Sequence, residues 1–192
     1  MNAPLTNAAD GLARRAFTVA EVERMVELGL IAPDERFEIL GGEIVPMSPK
    51  GNRHETLKVA LARRWGKQCP ENCTLAQETG LRLSDYMYVE PDFRVFSRRV
   101  VLASVTGPDI LLAVEIADSS LDYDLHQKAR IYAAHGVREL WVIDAGRRCT
   151  HIHLGPGLDG YAWIIVRDES DRLEPTHAPP EFALTLDELE PV

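Results

Sequence analysis

The sequence predicts an α/β fold in which a mixed central β-sheet is flanked by helices. Three features point to it. Residues 110–144 read strand, helix, strand with short connections, which requires a crossover between parallel strands. Residues 53–68 carry Leu57, Leu61 and Trp65 at every fourth position, one stripe of a helix. Hairpin patterns at 36–47 and 150–166 supply antiparallel strands.

Residues 1–16 are expected to be a flexible N-terminus. A first helix is predicted over 17–29: Thr18 can cap it, Glu21 completes a capping box, Val22, Met25, Val26 and Leu28 supply the apolar positions, and Gly29 stops it. In 36–47 two apolar–polar runs flank Gly41-Gly42. On the 53–68 helix, Arg53, Arg63 and Lys67 fall away from the apolar stripe; this basic side is either a phosphate contact or an ordinary solvated face. Strand-like runs follow at 74–83, 89–96 and 110–117, then a helix over 124–135 ended by Gly136 and a strand at 139–144. The runs 150–154 and 161–166 form a hairpin over a Gly-Pro-Gly turn. Residues 171–192, rich in Pro and acidic residues, are expected to be an appendage with one short strand or helix.

The chain has 192 residues, 45% hydrophobic and 27% charged, which suffices for one core, and a single domain over 1–192 is expected. No apolar run approaches the roughly 20 residues that cross a bilayer, and no signal peptide is visible, so the cytoplasm is the default location. Cys69, Cys73 and Cys149 have neither zinc-finger nor redox spacing. A net charge of −9 argues against a protein that coats nucleic acid, because such affinity comes from Lys and Arg displacing counterions. It does not exclude an enzyme whose site concentrates carboxylates around a divalent ion. There is no Gly-rich phosphate loop, nucleophile elbow or dinucleotide motif.

Glu115 is the most informative residue, because it interrupts Ile110–Ala117, a run that otherwise reads as a buried strand. A buried carboxylate must be paired, metal-bound or protonated. Leu111, Ala113, Glu115 and Ala117 share one strand face, and the two alanines leave space beside the carboxylate. The plainer alternative is a strand-end salt bridge. Asp92 follows Pro91 and opens a β run in which Asp92 and Arg94 alternate with Phe93 and Val95, with Glu90 two residues away on the same face; turn chemistry is the competing explanation. Lys128 borders the stripe of Leu125, Ala129 and Tyr132, so it either snorkels to solvent or carries its ammonium to the two carboxylates. His151 and His153 share a strand face but have no evident third metal ligand.

These pieces resemble the Uma2 family of the PD-(D/E)XK nuclease superfamily. The likeness is carried by LAVEIADSSLDYDLHQKARIYAAHGVRELWVID over 112–144, by FEILGGEIVPMSP, by Arg53-His54, by the Pro91-Asp92 strand and by the hairpin ending near Arg167. It implies a restriction-endonuclease-like core. It also implies a Mg²⁺-dependent (or Mn²⁺-dependent) endonuclease hydrolysing DNA, with Asp92, Glu115 and Lys128 as catalytic residues. The superfamily's usual lysine, two residues after the Glu, is replaced here by Ala117, and Lys128 stands where the family supplies it from the following helix. The metal would be held by Asp92, Glu115 and the carbonyl of Ile116. The same resemblance makes Glu38 an acidic residue near the metal and His54 and Gln77 site-lining groups on the substrate side, where Arg53 joins them as a substrate-binding candidate from the basic side of its helix. His54 lies towards the apolar face of its helix, where a structural role competes. Gly41 departs from the family, many members of which carry Asp there. Double-strand cleavage generally calls for two sites, so a homodimer is envisaged, though no seam is legible. A catalytically silent module binding nucleic acid or protein is the alternative of another class, and RNA or branched DNA are alternative substrates.

Overall fold

The computed structural model describes residues 5–7 and 13–189. Its principal elements, in chain order, are β1 (Leu5–Asn7), β2 (Ala13–Arg15), α1 (Val19–Glu27), β3 (Phe37–Leu40), β4 (Glu43–Pro46), α2 (Asn52–Gln68), β5 (Cys73–Gln77), β6 (Leu81–Ser84), β7 (Met87–Val89), β8 (Phe93–Ser97), β9 (Ile110–Ala117), α3 (Leu121–Tyr123), a π-helical turn (Asp124–Lys128), α4 (Ala129–Ala134), β10 (Glu139–Asp144), β11 (Cys149–Gly157) and β12 (Gly160–Arg167). Within the span expected as one domain they group into two compact units, residues 1–49 with 80–90, and residues 50–79 with 91–192. No helix among the described residues is long and apolar enough to cross a membrane.

The first unit holds a four-stranded antiparallel sheet in the order β4-β3-β7-β6. Helix α1 begins as predicted: the Thr18 hydroxyl accepts from the Glu21 amide at 3.1 Å, and the Glu21 carboxylate accepts from the Thr18 amide at 2.9 Å. Its Val19 and Val22 pack with Ile39 of β3. The β3–β4 hairpin turns through Gly41 and Gly42, both at positive φ (61° and 86°), so the departure at Gly41 still satisfies the turn. Of residues 1–16, expected to be flexible, 5–7 pair antiparallel with 13–15. Residues 1–4 and 8–12 lie outside the described residues.

The second unit is built on a six-stranded sheet in the order β12-β11-β10-β9-β8-β5. Strands β9 and β10 are parallel and their other pairings antiparallel, which is the mixed sheet that the strand–helix–strand run predicts. One sheet face carries Phe93, Val95, Leu112, Val114, Ile116, Trp141 and Ile143, packed with Leu57, Leu61 and Trp65 of α2. Period-two alternation sends Asp92, Arg94, Ala113, Glu115 and Ala117 to the opposite face.

Three expectations are corrected. The strand expected over 74–83 is two: Glu78 at φ 44° and the two residues after it end β5, and β6 enters the other sheet. Alternation alone carries no information about which sheet a strand joins. The strand expected over 89–96 is broken at Pro91, which has no amide to give a ladder. The segment from 171 is not an appendage, because Leu173, Phe182, Leu184 and Leu186 are buried in the core and the Trp65 indole donates to the Phe182 carbonyl at 2.9 Å.

Glu139 fastens that segment to the sheet. Its buried carboxylate accepts from the Trp141 indole at 2.8 Å and from the amides of Thr176 and His177 at 2.8 and 2.9 Å. Glu139→Ala should lower the unfolding free energy by about 2 kcal/mol, since it strands three donors. Urea denaturation measures the loss, and proteolysis should cut first near residues 174–178.

Candidate active site

Asp92 stands immediately before β8, which runs antiparallel to β9 with Phe93 opposite Val114 and Arg94 opposite Ala113. One further step of that register sets Asp92 opposite Glu115, so both carboxylates leave the same sheet face as cross-strand neighbours. Both are buried. The sequence therefore places two acids where neither can be solvated by bulk water, and each has gathered compensating groups.

Asp92 is held from three sides. Its Oδ2 accepts the backbone amide of Ile116 at 2.7 Å, its Oδ1 accepts the Lys50 ammonium at 2.5 Å, and the His54 Nε2 lies 3.0 Å from both oxygens. Burial alone would raise the Asp92 carboxyl, but the His54 and Lys50 contacts outweigh it and hold the group below the usual carboxylate range. Asp92 is thus a carboxylate across any working pH. Lys50 also reaches Glu78 at 2.7 Å, which Lys58 approaches at 3.1 Å from one helical turn beyond His54. The Lys50 ammonium is opposed by burial yet raised by Asp92 and Glu78.

Glu115 meets the helical segment that follows it. Its Oε1 accepts the Tyr132 hydroxyl at 2.5 Å and lies 3.0 Å from the Lys128 ammonium. The helix predicted over 124–135 is present but begins earlier, at Leu121, and passes through a π-helical turn, Asp124–Lys128, before α4. Lys128 closes that turn and Tyr132 follows four residues later, so the two side chains lie one above the other over β9. Lys128 is buried rather than snorkelling to solvent.

The structure thus brings Glu115, Lys128, Asp92 and His54 into one region of the second unit. For Ile116 it gives an amide donating to Asp92. Arg53 is mostly exposed, with a guanidinium nitrogen 3.8 Å from Asp118, and Gln77 is exposed at the end of β5. Arg63 and Lys67 line a shallow concavity with Arg64, Gln68 and Glu188 roughly 15–20 Å further along α2 than Arg53, so the predicted basic side does not converge on the carboxylates. Glu38 belongs to the first unit, where its buried carboxylate accepts the Glu90 amide at 3.1 Å, and Glu90 itself pairs with Arg36. Sequence reading missed Lys50, Lys58, Glu78 and Tyr132. Tyr132 was legible only as core, and the available signal for the lysines was their four-residue spacing on either side of His54.

The donor set suits a hard divalent cation. Two oxygen anions sit side by side, each countered by its own ammonium, and oxygen ligands favour Mg²⁺ or Mn²⁺ over softer metals. No three His, Cys, Asp or Glu side chains form a ready cage among the described residues, so further ligands would be backbone oxygen and water.

His151 and His153 do share a face of β11. His153 is buried, its ring packs edge-on against Tyr161 at 5.5 Å, and burial, helped by His151 and His126, lowers its pKa from 6.5 to about 4. A base so depressed contributes stability that is complete above pH 6.5 and disappears as the pH falls towards and through about 4. Up to about 3 kcal/mol is at stake. Urea titrations at pH 7 and pH 4.5 should show a larger acid loss for the wild type than for His153→Phe.

A family model described as "Uma2: Putative restriction endonuclease" matches residues 19–187. No curated protein matches the chain. Among solved structures, the chain is similar to a crystal structure described as a putative nuclease belonging to DUF820 from Anabaena variabilis ATCC 29413, with a TM-score of 0.64, 18% identity, and 90% of this chain and 97% of that one covered. At that identity the likeness shows the fold.

Proposed function

Because the chain belongs to the Uma2 family, whose description is putative restriction endonuclease, we propose that it is a divalent-metal-dependent endonuclease that hydrolyses DNA phosphodiester bonds at Asp92, Glu115 and Lys128. The observation that carries this reading is the buried Lys128 ammonium 3.0 Å from Glu115, on a strand whose neighbour presents Asp92 at the facing position.

On this reading Asp92, Glu115 and the Ile116 carbonyl hold Mg²⁺ or Mn²⁺. When bound, the cation supplies Lewis-acid polarisation of the phosphoryl oxygen and eases deprotonation of the attacking water. The Ile116 amide fixes the Asp92 carboxylate against β9, so one oxygen keeps a set direction. Lys128 offsets charge that grows on the phosphoryl oxygens and orients the water, an electrostatic contribution of a few kcal/mol. Tyr132 holds Glu115 in the rotamer that faces Lys128. His54 positions Asp92 from the helix side, which gives it a supporting role in place of contact with substrate. Arg53 and Gln77, both exposed, are available to the nucleic-acid backbone.

A silent binding module has no physical need for two buried acids and a buried lysine in one place. The test is incubation of supercoiled plasmid, single-stranded DNA and RNA with the purified chain and Mg²⁺ or Mn²⁺. Metal-dependent nicking of plasmid, abolished by chelator, is expected. Cleavage of RNA alone would reassign the substrate, and intact substrates in all lanes would leave the binding module as the better reading.

A further inference from the structure

Strand β12 closes one edge of the six-stranded sheet and, among the described residues, pairs on one side only, with β11. Its outer row of backbone N–H and C=O groups is therefore open to pairing. The side chains along it are apolar and exposed on both faces: Trp163 64%, Ile164 58%, Ile165 37% and Val166 51%. Native proteins blunt such an edge with Lys, Pro, inward charges or a covering element. From Gly160 to Val166 there is no charged residue and no proline, and the first charge is Arg167. Left bare, a strand of eight residues with this composition is an aggregation template.

We propose that β12 is the seam of a two-fold homodimer, in which it pairs antiparallel with β12 of a second copy and joins two six-stranded sheets into one. Four observations select a second copy over other occupants. An antiparallel edge is its own complement, because a two-fold axis brings the same donor and acceptor row against itself. The chain carries a net charge of −9, so two copies repel, and a seven-residue neutral strip is where they approach without opposing like charges. Nucleic acid is disfavoured as the occupant, since the strip offers no cation before Arg167. The exposed apolar side chains present roughly 400 Å² per copy, about half of the ~800 Å² per partner in a standard interface, and paired backbone and flanking α4 supply more.

The anchor is already positioned. Gly155, at φ 70°, lies under the Trp163 ring so closely that a Cβ there would come within 2.5 Å of it. The indole is thus seated across the β11–β12 pair before any partner arrives, and rigid aromatic side chains lose little entropy on binding.

The experiment is sedimentation equilibrium of the full chain from 1 to 100 µM, with Ile164→Lys, Val166→Lys and the control Val101→Lys, which alters an exposed apolar residue outside β12. A wild-type dimer is expected, with association weakened at least 100-fold in both β12 variants and unchanged in the control. Circular dichroism and thermal melts confirm that each variant is folded, and either β12 variant suffices if the other fails to fold. Hydrogen exchange should show β12 amides gaining protection as the wild-type concentration rises. A wild type that is monomeric at 100 µM, dimers that persist in both folded β12 variants, or open-ended oligomers would overturn the proposal.

Discussion

Lys128→Met is expected to slow plasmid cleavage by about 10²–10³-fold, corresponding to roughly 3–4 kcal/mol of lost transition-state stabilisation. Methionine keeps most of the buried stem and removes the ammonium that lies 3.0 Å from Glu115. The Tyr132 hydroxyl still donates to Glu115, so the carboxylate keeps a hydrogen bond but loses its cation. Breaking a buried ion pair from one side costs about 3–5 kcal/mol, so the variant should also melt lower. Rates are therefore to be compared at a temperature where both proteins are folded. Lys128→Arg should fall between the two, because a planar guanidinium keeps the charge but does not fit a space shaped for an ammonium. Equal cutting by wild type and Lys128→Met would remove Lys128 from the site.

Asp92→Ala should abolish stabilisation by metal. A ligand at 100 times its dissociation constant adds about 2.7 kcal/mol to a folded protein, which for a chain of this size raises Tm by roughly 5–10 °C. The wild type should show that rise with Mg²⁺ or Mn²⁺, and Asp92→Ala almost none. Without metal the variant should already be less stable, because Lys50, His54 and the Ile116 amide all lose an anionic partner. Comparing the metal increment, rather than Tm itself, separates the two effects. A full increment in Asp92→Ala would show that the cation binds elsewhere.

Much of this architecture was legible because burial and periodicity speak directly in the sequence. Glu115 inside an apolar run had to be paired, metal-bound or protonated, and the stripe of Leu57, Leu61 and Trp65 pointed to a core. The capping box at Thr18 and Glu21 and the Gly41-Gly42 turn are local chemistry, and both are present in the structure. What the sequence hid is non-local. Nothing in residues 74–83 announces that β5 and β6 enter different sheets. The acidic, proline-rich composition after 171 masked six apolar residues that join the core, and Glu139 pins their segment from more than thirty residues away. Lys50 lies in a connection whose partner Asp92 is 42 residues distant, so its spacing from His54 hints at a shared face but not at the carboxylate it meets. The π-helical turn that ends at Lys128 changes helical phase by one residue, which a wheel drawn at a constant 3.6 residues per turn does not represent.

The reading depends on Asp92 and Glu115 sharing one divalent cation with Lys128 beside it. An anomalous-difference map from crystals soaked in Mn²⁺ tests this most directly. The account predicts a single strong peak about 2.0–2.3 Å from a carboxylate oxygen of Asp92 and from one of Glu115, with the Lys128 ammonium in the next layer. A peak at His151 and His153, or on the exposed acidic surface with none between Asp92 and Glu115, would contradict it.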